Sequence, residues 1–109
     1  MRHPDWVDAP SSERFGLIDQ MRRAAISVGS NVAEGAGRSG DREFLRFVNI
    51  AYAPASELAF QLTVAGELGF GIERERAGTA ETIDHLQRSL NRLAKRLQSG
   101  RVTVGSLRE

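Results

Sequence analysis

The chain has 109 residues, enough for one small domain with a single core, and a complete doubly wound dinucleotide fold with its two βαβαβ halves does not fit in that length. It contains no cysteine, which excludes disulfides and thiolate metal sites. Its net charge is only +1, yet of 15 basic residues all but Lys95 are arginine. That bias suits planar recognition of phosphate or carboxylate, and it equally suits a GC-rich genome whose codons favour Arg, Ala and Gly together.

Residues 1–11 read as an irregular lead-in, with charges, two prolines and no apolar run of the kind a signal peptide needs. No stretch approaches the roughly 20 apolar residues of a membrane span, so the chain is expected to be soluble and cytoplasmic, with no membrane partner.

From Ser12 to about Gly35, Ile18, Met21, Ala25, Val28 and Val32 recur at alternating steps of 3 and 4. This is one face of a helix, with Arg14, Arg22 and Arg23 outside it. Ser11 or Ser12 is placed to cap its start, Glu13 suits the dipole, and Gly35 and Gly37 are expected to end it. Gly29 is a weak point in its interior.

A second helix is expected over 41–69, capped by Ser39 or Asp41. Its face runs Phe44, Phe47, Ala51, Leu58, Leu62 and Ala65, widened by Leu45, Val48 and Tyr52. Pro54 removes one backbone hydrogen bond inside it, so a kinked long helix is expected. The stretch "GELGFGIERERAG", with four glycines, reads as the connection to a third helix over 79–98. Thr79 is placed as its cap, Glu81 and Asp84 in its first turns, and Ile83, Leu86, Leu90, Leu93 and Leu97 form its apolar face. Gly100 stops it, and residues 100–109 read as a frayed tail.

The order is therefore helix, glycine joint, long helix, glycine joint, helix: an all-α antiparallel bundle over residues 12–99. "GAGRSG" at Gly35–Gly40 spells G-x-G-x-x-G, and Glu57 follows Gly37 by 20 residues, as a dinucleotide fingerprint would have it. No strand leads into the motif, however, and Glu57 falls in the middle of a helical period, so the glycines read as a joint between helices.

Gln20, Arg22, Arg23, Ala24, Ala25, Ser27, Val28, Asn31, Val32, Ala33, Glu34, Gly35, Gly37 and Arg38, followed by "EFLRFVNIA" and "SELAFQL", form a specific run. On these residues the segment from Phe15 to near Gln98 resembles the four-helix bundle protein family. That family includes proteins encoded in intervening sequences of bacterial large-subunit ribosomal RNA genes, with the accessory variability determinant protein of diversity-generating retroelements as a relative. The resemblance implies a ring of helical bundles, a homopentamer, with a nucleic acid or a larger enzyme such as a reverse transcriptase as partner. The sequence departs from the pattern of that family at three places. The helix that precedes the "FGL" block in other members has no counterpart here, so the start lies upstream or one wall of the bundle is missing. Gly29 stands where proline is common, and "APAS" around Pro54 replaces a Gly-Ser region.

No catalytic constellation assembles from the residue pattern. His3 lies in the lead-in and His85 stands beside Asp84 on a helix; Glu73 and Glu75 alternate with Arg74 and Arg76; Ser27, Ser30 and Ser39 have no histidine near them in sequence. No metal-ligand spacing occurs and no cofactor is expected. The expectation is a non-enzymatic, homo-oligomeric protein.

The basic residues are the candidate site. Arg38, Arg42 and Arg46 recur every four residues and are expected on one face of the second helix, where they can grip phosphates or pair with Glu34, Asp41 and Glu43. Arg88, Arg92, Lys95 and Arg96 form a second basic set, either a phosphate-binding face or a solvated one. Among the motif residues, Arg22, Arg23, Asn31, Glu34, Gly35 and Gly37 are expected to be structural, satisfying backbone groups at the joint or across a subunit boundary. The competing reading of Asn31 and Glu34 is direct ligand contact. Nucleic-acid binding through arginine-lined surfaces is the function expected, and a protein-protein adaptor ring is the alternative.

Overall fold

A computed structural model describes residues 11–100, which form three helices and, among the described residues, no strand. They are α1 (Ser11–Ala36), α2 (Asp41–Glu67) and α3 (Glu73–Gln98). Residues 37–40 and 68–72 are the only connections, too short for anything but antiparallel neighbours. The central helix α2 packs extensively against both α1 and α3. Among the described residues, no helix is long and apolar enough to cross a membrane.

Two apolar clusters record the register. At one end Val28 of α1, Phe44, Val48, Ala51 and Ala55 of α2, and Leu90, Ala94 and Leu97 of α3 pack together. At the other, Ala24, Leu58 and Ile83 meet, with Met21, Ala59 and Leu62 against them. So many alanines in the core bring the helices close, because a small side chain lets two backbones approach.

The start of α3 corrects the sequence reading. The helix opens at Glu73, and Thr79 is no cap: it lies inside α3, its hydroxyl donating to the Glu75 carbonyl at 3.0 Å. Three features start the helix early. Ile72 takes an extended N-cap conformation (φ −98°, ψ 131°), Glu73 and Glu75 occupy the first turn where they favour the helix dipole, and Arg76 donates back to the carbonyls of Phe70 and Gly71, at 2.8 Å to the latter. Gly78, read from sequence as the end of a loop, is tolerated within α3 at a cost of about 1 kcal/mol against alanine.

The other boundaries shift less. Helix α2 ends at Glu67, before Gly69, in a Schellman turn: Phe70 N–H donates to the Ala65 carbonyl (2.9 Å) and Gly69 N–H to that of Gly66 (3.1 Å), with Gly69 at φ +72°. Neither Ser39 nor Asp41 caps α2. Its N-cap is Gly40, at φ 87°, without a side-chain hydrogen bond. Ser12 lies inside α1, which runs through Gly29 and Gly35 to Ala36. Pro54 sits in α2 without breaking it. The expected lead-in gives up Ser11, which is already in α1; its residues 1–10, including His3, and residues 101–109 of the expected tail lie outside the described residues.

The three glycines of GAGRSG do different work. Gly35 is buried where α1 crosses α2, and a Cβ there would stand 2.7 Å from the Phe47 Cβ and 3.0 Å from the Phe44 ring. Gly40 supplies the left-handed φ that turns the chain into α2. A Cβ on Gly37 would meet only ordinary van der Waals contacts, at 3.6 Å and beyond.

Candidate nucleic-acid interface

Antiparallel packing puts the 37–40 turn, the first turns of α2 and the last turns of α3 at the same end of the molecule. Every candidate arginine, and Lys95, belongs to that end. Segments 30–50 and 86–100, which build it, carry seven basic and three acidic side chains. Segments 11–29 and 51–85, which build the other end, carry five basic and eight acidic ones. The small net charge of the chain thus hides a separation of +4 at one end from −3 at the other, or of +3 from −2 when Asp84 is counted with Arg88, to which it is paired across the dividing line.

Two magnitudes decide whether this separation matters in solution. A helix of 26 residues is about 39 Å long, whereas the Debye length at physiological salt is about 8 Å, so the acidic end does not cancel the basic one. Two helix C-termini and one N-terminus meet at the basic end, and each contributes about half a charge, leaving about −0.5. That is small against a side-chain excess of three to four. Stabilising the C-terminus of α3 explains Lys95 and Arg96 in part; it does not explain Arg42.

Arg38 does not lie on α2 as its spacing suggested. It sits in the turn before the helix and pairs with Glu34, its NH2 donating to Oε1 at 2.8 Å. The correction follows from Gly40, which starts α2 at Asp41 and leaves Arg38 outside the helical period. Arg38 nevertheless rejoins the cluster, because its guanidinium lies 5.3 Å from the centre of the Phe47 ring. Arg46 lies 4.5 Å from the same ring and pairs with Glu43 at 3.3 Å. Such contacts with an aromatic face hold the guanidinium in place at about 0.5–1 kcal/mol for an exposed site. Phe47, read from sequence as a core residue, is half-buried and serves as the platform for two arginines.

Arg42 is exposed and makes no ion pair among the described residues. With Glu43, Leu45, Arg46 and Asn49 it lines an open depression of about 530 Å³ on α2. On α3, Arg88 pairs with Asp84 at 3.2 Å, one turn before the basic set, and Arg92 donates to the Ser89 hydroxyl at 3.3 Å. Lys95 and Arg96 are exposed and, among the described residues, have no acidic partner.

The other motif residues stay close to home. Asn31 is half-buried and donates to the Ser27 carbonyl at 2.8 Å, a bond within α1 itself. Arg23 pairs with Asp19 at 3.0 Å. Arg22 is exposed on the rim of an apolar groove between α1 and α3, about 470 Å³ in volume, whose walls include Ile18, Met21, Ala25, Ile83 and Leu86. Among the described residues no group of three His, Cys, Asp or Glu side chains is placed to hold a metal ion. His85 is exposed on α3.

Residues 6–92 match the family model described as 23S rRNA-intervening sequence protein. No curated protein matches the chain.

Proposed function

Since the chain belongs to the 23S rRNA-intervening sequence protein family, we propose that it is a non-enzymatic helical-bundle protein that binds nucleic acid through the basic end of the bundle. The observation that carries this reading is the segregation of charge: seven basic side chains against three acidic ones at one end of a chain whose net charge is +1. Arg42, Lys95 and Arg96, without acidic partners among the described residues, are the primary phosphate contacts. Arg38 and Arg46, held on the Phe47 ring, are preorganised to join them. Recognition by such a surface is mainly of the phosphate backbone, which positions the protein without reading sequence.

The test is binding of the purified protein to labelled structured RNA and to duplex DNA over a salt series. Several phosphates neutralised per site give a log-log slope of about −3 or steeper. Absence of binding at low salt overturns the reading and turns attention to a protein partner.

Self-association belongs to the same proposal. The α1–α3 groove is apolar, and Phe15, Ile26 and Phe60 are each more than three-fifths exposed. Each large apolar side chain left in water forgoes about 1.5–3 kcal/mol of burial, so covering these surfaces with further copies of the chain is favourable. Light scattering that returns a monomer at micromolar concentration counts against it.

A further inference from the structure

The depression on α2 differs from the rest of the basic end. Arg42, Leu45, Arg46 and Asn49 follow one another at steps of three, one and three, which puts them on a single helix face. The hollow is open to solvent and lined by α2 alone, with Glu43 as its fifth side chain, so it offers a surface for one flat group rather than an enclosing pocket. A charged patch for phosphate contact alone needs no hollow, no apolar wall and no amide.

Arg46 is the organising side chain. Its guanidinium lies 4.5 Å from the centre of the Phe47 ring, and its Nε and NH2 donate to the Glu43 carboxylate at 3.3–3.4 Å. Aromatic contact and carboxylate together limit its rotation. Its side chain still keeps 56% of its surface exposed, so part of the guanidinium remains open to a ligand. A guanidinium plane so held is a stacking surface for a nucleobase. Asn49, exposed one turn further along α2, offers both an amide donor and a carbonyl acceptor, the pair of functions that a base edge presents in return. Leu45 supplies an apolar wall, and Arg42 lies on the same rim for the adjoining phosphate.

We infer that the Arg42–Leu45–Arg46–Asn49 depression is a subsite for one unstacked base, and that the protein prefers single-stranded nucleic acid to a duplex. The inference rests on the nucleic-acid reading above and sharpens it. In a duplex the bases are paired and stacked, and the deep, narrow major groove of A-form RNA keeps their edges from side chains. Only a loop, bulge or free strand can turn a base onto the Arg46 plane. Phosphate contacts at Arg42, Lys95 and Arg96 attract either form, so the preference resides in the depression.

The experiment measures fluorescence anisotropy of a labelled single strand and of the corresponding duplex over a salt series, with the unmodified protein and with Arg46→Lys and Asn49→Ala. Arg46→Lys keeps the charge and loses the plane. A single strand carrying 2-aminopurine reports stacking directly. The expected result is tighter binding of the single strand by the unmodified protein, with quenching of 2-aminopurine. Arg46→Lys should lose about tenfold in single-strand affinity, with the quenching abolished and duplex affinity changed less than about twofold. Circular dichroism melts that superimpose for the three proteins show the loss to be local.

Equal or weaker single-strand binding by the unmodified protein overturns the inference, as does an unchanged single-strand to duplex ratio in both variants. If either result comes with a steep salt slope, the basic-end reading survives and the base subsite alone fails. Absence of binding to both probes overturns the two together.

Discussion

A Cβ on Gly35 would lie 2.7 Å from the Cβ of Phe47, nearer than side-chain atoms approach without movement. This contact sets the spacing of α1 and α2 at the end of the molecule where the arginines gather, and Phe47 carries two of those arginines on its ring. The closeness of two backbones and the placement of a candidate site therefore depend on the same missing side chain.

Gly35→Ala should destabilise the fold. Alanine gains about 1 kcal/mol in helix propensity, but forcing a methyl group into an occupied space costs typically about 1–3 kcal/mol, and here the Phe44 carbonyl, at 3.2 Å from the new carbon, also resists. Gly29→Ala is the control. It lies in the same helix with nothing within 4 Å of its Cβ, and should stabilise by about 0.5–1 kcal/mol. Urea denaturation of both variants reads the two signs. A stabilised Gly35→Ala would show that α1 and α2 separate at little cost.

The end of α2 gives a second test. Gly69 is at φ +72°, and the Schellman turn it forms seats the buried Phe70 beside the buried Ala65. An L-residue in that conformation costs about 1–2 kcal/mol. Gly69→Ala should therefore lower the midpoint of thermal unfolding while leaving the helical circular dichroism of the folded protein unchanged. Gly66→Ala, a helical position whose Cβ would meet only Arg76 Nε at 3.6 Å, should not.

The helices were legible from their apolar periodicity because each buries one stripe, as with Ile83, Leu90 and Leu97 of α3. The start of α3 was not, because what fixes it is a side-chain contact that no apolar period records: Arg76 reaching back five and six residues to the Gly71 and Phe70 carbonyls helps make a helix of residues whose glycines and mixed charges read as a loop. The candidate arginines were visible as residue types. Their gathering was not, since Arg42 and Lys95 are half the chain apart and meet at one end only through antiparallel packing. Phe47 illustrates the same limit, its spacing marking an apolar face while one of the two cations on its ring, Arg38, comes from the turn before α2 rather than from the helix itself.

Charge at the basic end should set the salt dependence of binding. Each phosphate contact removed lowers the magnitude of the slope by about 0.9 on duplex DNA and about 0.7 on a single strand. Arg42→Ala, Lys95→Ala and Arg96→Ala should each produce such a change. Their cost in stability should be small, below about 1 kcal/mol for the two α3 residues that favour the dipole of its last turn. Arg74→Ala, at the acidic end, should leave the slope as it was. Equal effects from all four would mean that binding follows overall charge and that the basic end is no site.

Glu34 and Arg38 allow the opposite manipulation. Their ion pair, at 2.8 Å, joins two side chains that are 56% and 50% exposed, and an exposed pair of this kind contributes about 0.2–1 kcal/mol to stability. Glu34→Gln removes one of three acidic groups that the described residues place at the basic end and releases Arg38 from its partner, while the contact with the Phe47 ring remains. If Arg38 contacts phosphate, the variant should bind nucleic acid several-fold more tightly at low salt, with a slope steeper by about one contact and a nearly unchanged melting temperature. If Glu34 instead orients Arg38 for that contact, affinity should fall although a negative charge has been removed. The sign of the change in affinity separates an arginine that is neutralised from one that is aimed.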